Sequence, residues 1–173
     1  EGFKMDVLAY DLRPREDLAR QLGFEYVSME DIFARSDIIS LHVPLNEHTH
    51  HLLSTEEFQQ MKDGVVIINT ARGPIIDIQA LMQALADGKV QAAGLDVLPE
   101  EPSIREEAEL LRSEFRRQHD LETLLANHIL LRQRNVVITP HSAFNTREAV
   151  QRILDVTVDN IQSFLARQPK NLV

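Results

Sequence analysis

Short apolar runs alternate with amphipathic, helix-period segments along most of the chain. That alternation fits one architecture, helices packed on a largely parallel β-sheet. The runs at 6–10 (DVLAY), 24–27, 37–43 (DIISLHV), 65–69 (VVIIN), 92–97 (AAGLDV) and 136–139 (VVIT) predict strands. VVIIN, entered through Gly64, is the clearest parallel-sheet strand. DIISLHV reads as a buried strand halted by Pro44. Start and stop signals place helices between the strands. Pro14 sits at the start of the first and Gly23 at its stop. Ser28 with Asp31 caps a short helix, and Ser54 with Glu57 forms a capping-box pattern. Asp77 is the N-cap of a helix that closes near Asp87-Gly88. The charged stretch 103–131 predicts two helices broken near His119-Asp120, and 147–167 predicts one long amphipathic helix.

In open parallel sheets ligands bind at the carboxyl ends of the strands, so the residues just after each strand carry the functional information. Asp11 ends the first strand. A carboxylate there accepts hydrogen bonds from a ribose diol, although a lone Asp at a strand end reads more simply as a cap or turn residue. Asn69-Thr70-Ala71-Arg72-Gly73-Pro74 follows the strongest strand. The planar fork of Arg72, set between small residues, suits a substrate carboxylate; an isolated Arg in a turn is otherwise a surface residue. Asp96 ends the next strand, and Glu101 comes after it in a loop held by Pro99 and Pro102. His141, after the last strand and Pro140, is a candidate general acid/base, because histidine titrates near neutrality. Taken alone it reads as a structural histidine.

Composition narrows the classes further. With 173 residues, of which 43% are hydrophobic and 26% charged, the chain is one globular domain's worth of sequence rather than a disordered or fibrous one. Eighteen Lys and Arg against 27 Asp and Glu give a net charge of −9, which argues against nucleic-acid and anionic-membrane partners. The absence of cysteine excludes disulfides, thiolate nucleophiles and zinc–sulfur sites. No apolar run reaches the roughly 18 residues of a membrane span, and the first residues lack a signal-peptide core, so the expected location is the cytoplasm. His48, His50 and His51 lie in a polar loop without helical metal-ligand spacing and read as solvated, with no metal site. His42, inside a strand, reads as packed, and His119 and His128 as surface residues.

Five stretches together resemble the D-2-hydroxyacid dehydrogenase family: LAYD (8–11), SDIISLHVPLNEHTHHLLS (36–54), MKDGVVIINTARGPIID (61–77), ALADGKVQAAGLDVLPEEP (84–102) and NVVITPHSAF (135–144). They occur in the family's order, each at a strand end. PHSAFNT and the histidine loop are most similar to the D-lactate dehydrogenase branch. The resemblance implies a Rossmann-like doubly wound parallel sheet and a hydride transfer between NAD and a small D-2-hydroxy or 2-oxo acid. It implies that Arg72 binds the substrate carboxylate and carbonyl, that His141 is the acid/base, and that Glu101 pairs with His141. Asp11 would hold the adenosine ribose and favour NAD. Val43, Pro44 and Thr49 would line the adenosine side of the cofactor, and Thr70, Ala71 and Asp96 would contact its nicotinamide half, with Arg72 and His141 beside them. It also implies a homodimer.

Two departures from the family pattern stand out. The glycine-rich phosphate turn and the strand before it are absent, which suggests a C-terminal portion of a longer enzyme with a gap where the sheet's central strand belongs. On that view 1–146 is an incomplete dinucleotide-binding domain, 147–173 is a helix returning toward a substrate domain, and the chain alone is inactive. The stretch between Glu101 and His141 is also longer than usual for the family. A competing reading is a non-enzymatic, corepressor-like NAD sensor on the same fold, and a third is a domain used only for assembly.

Overall fold

Local signals and sheet pairing decide the elements independently here. The computed structural model describes residues 4–99 and 121–171. Its strands are β1 (Leu8–Ala9), β2 (Glu25–Tyr26), β3 (Ile38–Leu41), β4 (Val65–Asn69), β5 (Val90–Leu95) and β6 (Val136–Ile138). Its helices are α1 (Glu16–Leu22), α2 (Met29–Arg35), α3 (Thr55–Gln60), α4 (Ile78–Ala86), α5 (Leu121–Leu130) and α6 (Arg147–Leu165). The helix ends match the predicted caps. Gly23 closes α1 in the left-handed region at φ 74°, a conformation that costs a residue without Cβ little. The Ser28 side chain accepts from the Asp31 amide at the head of α2. The Asp77 carboxylate accepts from the amides of Gln79 and Ala80 at the head of α4.

Two compact units divide the chain, residues 1–138 and 139–173. In the first, β3, β4, β5 and β6 form a four-stranded sheet in that order, every pair parallel. β1 and β2 form a separate parallel pair, with Leu8 opposite Glu25. Among the described residues β1 and β3 each have a ladder partner on one side only, and the two sheets share no ladder. β1 is also shorter than the predicted 6–10, since with one partner its flanks Val7 and Tyr10 stay exposed.

One face of the four-stranded sheet is dry. Ile39, Leu41, Val65, Ile67, Ala93 and Leu95 are buried there against Phe33 of α2, Phe58 of α3, Leu81 of α4 and Leu130 of α5. The opposite face carries Ile38, 42% exposed, and Val137, 66% exposed. Hence β3 is not the fully buried strand expected: its residues alternate, exposed at Ile38 and Ser40 and buried at Ile39 and Leu41. His42 continues the open parity. It is exposed rather than packed, with its imidazole 2.9 Å from the Ser40 hydroxyl. Packing each fully buried Leu or Ile of this layer contributes roughly 2 kcal/mol.

In the second unit, α6 is opened by the Thr146 hydroxyl, which accepts from the Ala149 amide. Its side chains include the exposed Ile153, Leu154, Val156, Ile161 and Phe164. Among the described residues no helix is long and apolar enough to cross a membrane.

The capping box of α3 makes stability depend on acid. Burial pushes the Glu57 carboxyl up, but the Ser54 hydroxyl and amide both donate to it and together hold it below its ordinary value of 4.5. A carboxyl lowered by folding stabilises above its unfolded value and loses that contribution as pH falls through the folded one. The thermal midpoint should therefore drop as pH falls below about 4.5, and Glu57→Gln should flatten part of that acid slope. Equal acid slopes in the two proteins would show that the box is not responsible.

Candidate functional site

Asn69, the last residue of β4, organises the turn into the next segment. It is 1% exposed, and both ends of its amide are used. Its Oδ1 accepts from the Ala71 amide at 3.0 Å, and its Nδ2 donates to the Arg72 carbonyl at 2.9 Å. Its own carbonyl accepts from the Asp96 amide at 2.9 Å, extending the β4–β5 ladder by one step. The turn 69–72 is thereby fixed from inside the protein, and Arg72 leaves it with an exposed side chain. The Arg72 guanidinium donates through Nη1 to the Ala71 carbonyl at 2.6 Å.

Gly73 lets this turn meet the next strand end. A Cβ at Gly73 would lie 2.2 Å from the Leu98 carbonyl carbon and 2.4 Å from the Pro99 nitrogen. Backbone therefore packs on backbone, and no side chain fits between the segments. Asp96, buried at the end of β5, stands beside this contact in sequence and in space.

The loop after β3 is stitched to the same turn. The Asn46 side chain accepts from the amides of His48 and Thr49, and the Thr49 hydroxyl donates to the Pro44 carbonyl at 2.6 Å. The His51 amide donates to the Pro74 carbonyl, and Leu53 and Ile76 form a parallel bridge. The rings of His50 and His51 stack with centroids 4.0 Å apart. A crevice of about 490 Å³ opens between the ends of β3 and β4, lined by His42, Val43, Pro44, Leu45, Thr70, Ala71 and Arg72. Its lining mixes the apolar Val43, Pro44, Leu45 and Ala71 with the polar His42, Thr70 and Arg72, and it opens at the carboxyl end of a parallel sheet, where ligands of such sheets bind. A second cleft, of about 440 Å³ between α3 and α4, runs past Asp63 and Lys89 at the opposite ends of the strands.

Among the residues singled out from sequence, Val43, Pro44, Thr49, Thr70, Ala71, Arg72 and Asp96 thus gather at the ends of β3, β4 and β5. Asp11 comes after β1 in the separate two-stranded sheet. It is exposed, and its Oδ1 accepts from the Arg13 amide at 2.8 Å, the geometry of a turn. His141 belongs to the second unit. It adopts φ 50°, its amide donates to the Thr139 carbonyl, and its ring meets Phe144 edge-on at 6.3 Å. Glu101 and most of the stretch 103–131 lie outside the described residues. Sequence reasoning placed Asn69 and Gly73 in the stretch after the strongest strand but gave neither a role of its own. A polar residue closing an otherwise apolar strand, with a glycine four residues on, was the available signal.

Asn69→Ala should leave the buried Ala71 amide and the partly buried Arg72 carbonyl unmet. The expected loss is about 2 kcal/mol or more in unfolding free energy, measured by urea titration. A change under about 0.5 kcal/mol would place those two groups in contact with water instead.

Comparison with known proteins agrees with this fold. The profile of the D-isomer specific 2-hydroxyacid dehydrogenase NAD binding domain matches residues 1–143. The glyoxylate reductase of Korarchaeum cryptofilum is 36% identical over the whole chain, which spans 46% of that protein. The hydroxypyruvate reductase of Thermotoga maritima is 43% identical over 88% of the chain and 42% of its own length. The crystal structure of the D-lactate dehydrogenase from Aquifex aeolicus, complexed with NAD and lactic acid, superposes with a TM-score of 0.79 and 38% identity, over 96% of this chain and 48% of that one. The chain thus spans about half the length of the relatives it matches. It belongs to the D-isomer specific 2-hydroxyacid dehydrogenase family, within that family's NAD binding domain.

Proposed function

We propose that the chain forms the NAD-binding portion of an oxidoreductase that interconverts small 2-oxo acids and D-2-hydroxy acids. The observation that carries the reading is the guanidinium of Arg72, presented at the end of a central parallel strand by the buried amide of Asn69. The crevice residues fit a dinucleotide. Val43 and Pro44, with Thr49 tied to the Pro44 carbonyl behind them, are proposed for the adenosine side, and Thr70 and Ala71, with the buried Asp96 at the adjoining strand end, for a flat ring near Arg72. These residues are proposed for the adenosine and nicotinamide flanks of the cofactor. NAD(H) supplies the hydride.

The remaining work falls to the chain's own side chains. Arg72 binds the substrate carboxylate through its fork and polarises the adjacent carbonyl. His141 delivers a proton to that carbonyl oxygen in reduction and takes it from the hydroxyl in oxidation, with Glu101 as its partner. Asp11 holds the ribose of the adenosine. The named relatives act on glyoxylate, hydroxypyruvate and lactate, and short-chain 2-oxo acids are accordingly the proposed substrates. The net charge of −9 supports a small-molecule partner over nucleic acid or membrane. The homodimer is proposed on the family resemblance, and the cytoplasmic location on the sequence, which has no apolar run of membrane-span length. Residues 1–146 serve as the cofactor domain, and the segment 147–173, which carries α6, serves as its return toward the substrate-binding part.

The complete protein should oxidise NADH in the presence of pyruvate, glyoxylate or hydroxypyruvate. Arg72→Ala should raise the KM for the oxo acid on the order of 100-fold, the loss expected when a paired charge is stripped of its partner. His141→Ala should lower kcat on the order of 100-fold or more and change NADH affinity far less. Undiminished turnover without the imidazole would overturn its assignment, and NADH binding with no turnover of any 2-oxo acid would favour the sensor reading instead.

A further inference from the structure

Asn127 sits in the middle of α5 on the buried side of the helix, between the core residues Ala126 and Leu130. It is fully buried. Leucine would suit this position better by pattern and by shape. Its Nδ2 donates to the Pro99 carbonyl at 2.7 Å, across 28 residues of sequence. Its Oδ1 is buried and accepts no hydrogen bond from the described residues. An unmet buried acceptor destabilises a protein, so half of this amide works against the fold. A polar group kept at such cost in a dry helix face marks something other than stability.

What the amide holds is the segment pressed against the Arg72 turn. Pro99 and Leu98 occupy the space where a side chain on Gly73 would stand. The 98–99 segment meets Gly73 through the Leu98–Pro99 peptide and is gripped by Asn127 at the Pro99 carbonyl. Gly73 directly succeeds Arg72, whose carbonyl is already tied to Asn69. We propose that Asn127 is a positioning residue: by fixing the Pro99 carbonyl it holds the 98–99 backbone against Gly73 and so sets the turn that presents Arg72 to substrate. The role rests on the dehydrogenase reading only for what Arg72 binds; the mechanical link from α5 to the turn stands apart from it.

The test uses the complete protein with Asn127→Leu, which removes both the clasp and the unmet acceptor. The thermal midpoint should hold or rise. With pyruvate and glyoxylate as probes, KM should rise about fivefold or more while kcat changes by less than about twofold, the pattern of a lost ground-state contact. Hydrogen exchange of the peptide covering 70–76 should speed up by about threefold or more, since the turn loses one of its walls. If the leucine variant does not fold, Asn127→Ser is the substitute, because its short hydroxyl falls away from the Pro99 carbonyl and the same two readouts apply. Wild-type KM and exchange in a folded variant overturn the proposal, whether or not the midpoint has moved. If the wild type itself turns over neither probe, the dehydrogenase reading falls, and the exchange measurement alone decides the link between α5 and the turn.

Discussion

A parallel strand that runs out of partners leaves backbone donors and acceptors facing the ligand crevice, and something must satisfy them without filling the space. Here the amide of Asn69 does so from beneath. It answers the amide of Ala71 and the carbonyl of Arg72 while staying out of solvent. The small residues around it, and the bare backbone contact of Gly73 with Leu98 and Pro99, leave room above the turn. Arg72 is presented as it is because Asn69 is buried. The histidine loop then leans on the same turn through Pro74 and Ile75, so three strand ends share one support.

Much of this was legible in the sequence where the cause is local. Ser28, Ser54 and Asp77 act within three residues of themselves, and the glycine at 23 acts at its own φ. β4 was recognisable because its five residues are flanked by a glycine turn and a polar turn. The misjudgements concern what lies alongside. DIISLHV has the composition of a buried strand, yet Ile38 and His42 point to a face left open, and no property of those residues alone reveals that. β1 shrank for a related reason, since its length is set by how many neighbours it has.

The positioning residues were hidden for a different reason. Asn69 and Asn127 sit where an apolar side chain belongs by periodicity, and a single asparagine there carries no sign of which carbonyl it will meet. The partner of Asn127 lies 28 residues upstream. Motif residues such as Arg72 and His141 are visible because families repeat them at strand ends. The groups that aim them become visible only when the chain is folded.

The open side of β3 has a consequence of its own. Its backbone groups between Ile38 and Leu41 face outward with no ladder partner among the described residues, next to an exposed isoleucine and at the rim of a dry sheet face. Such a margin is a template on which any extended peptide of suitable register can zip, another molecule of the same protein included. The same four residues run straight into the crevice walled by Val43 and Pro44, so the open margin and the ligand crevice share one strand.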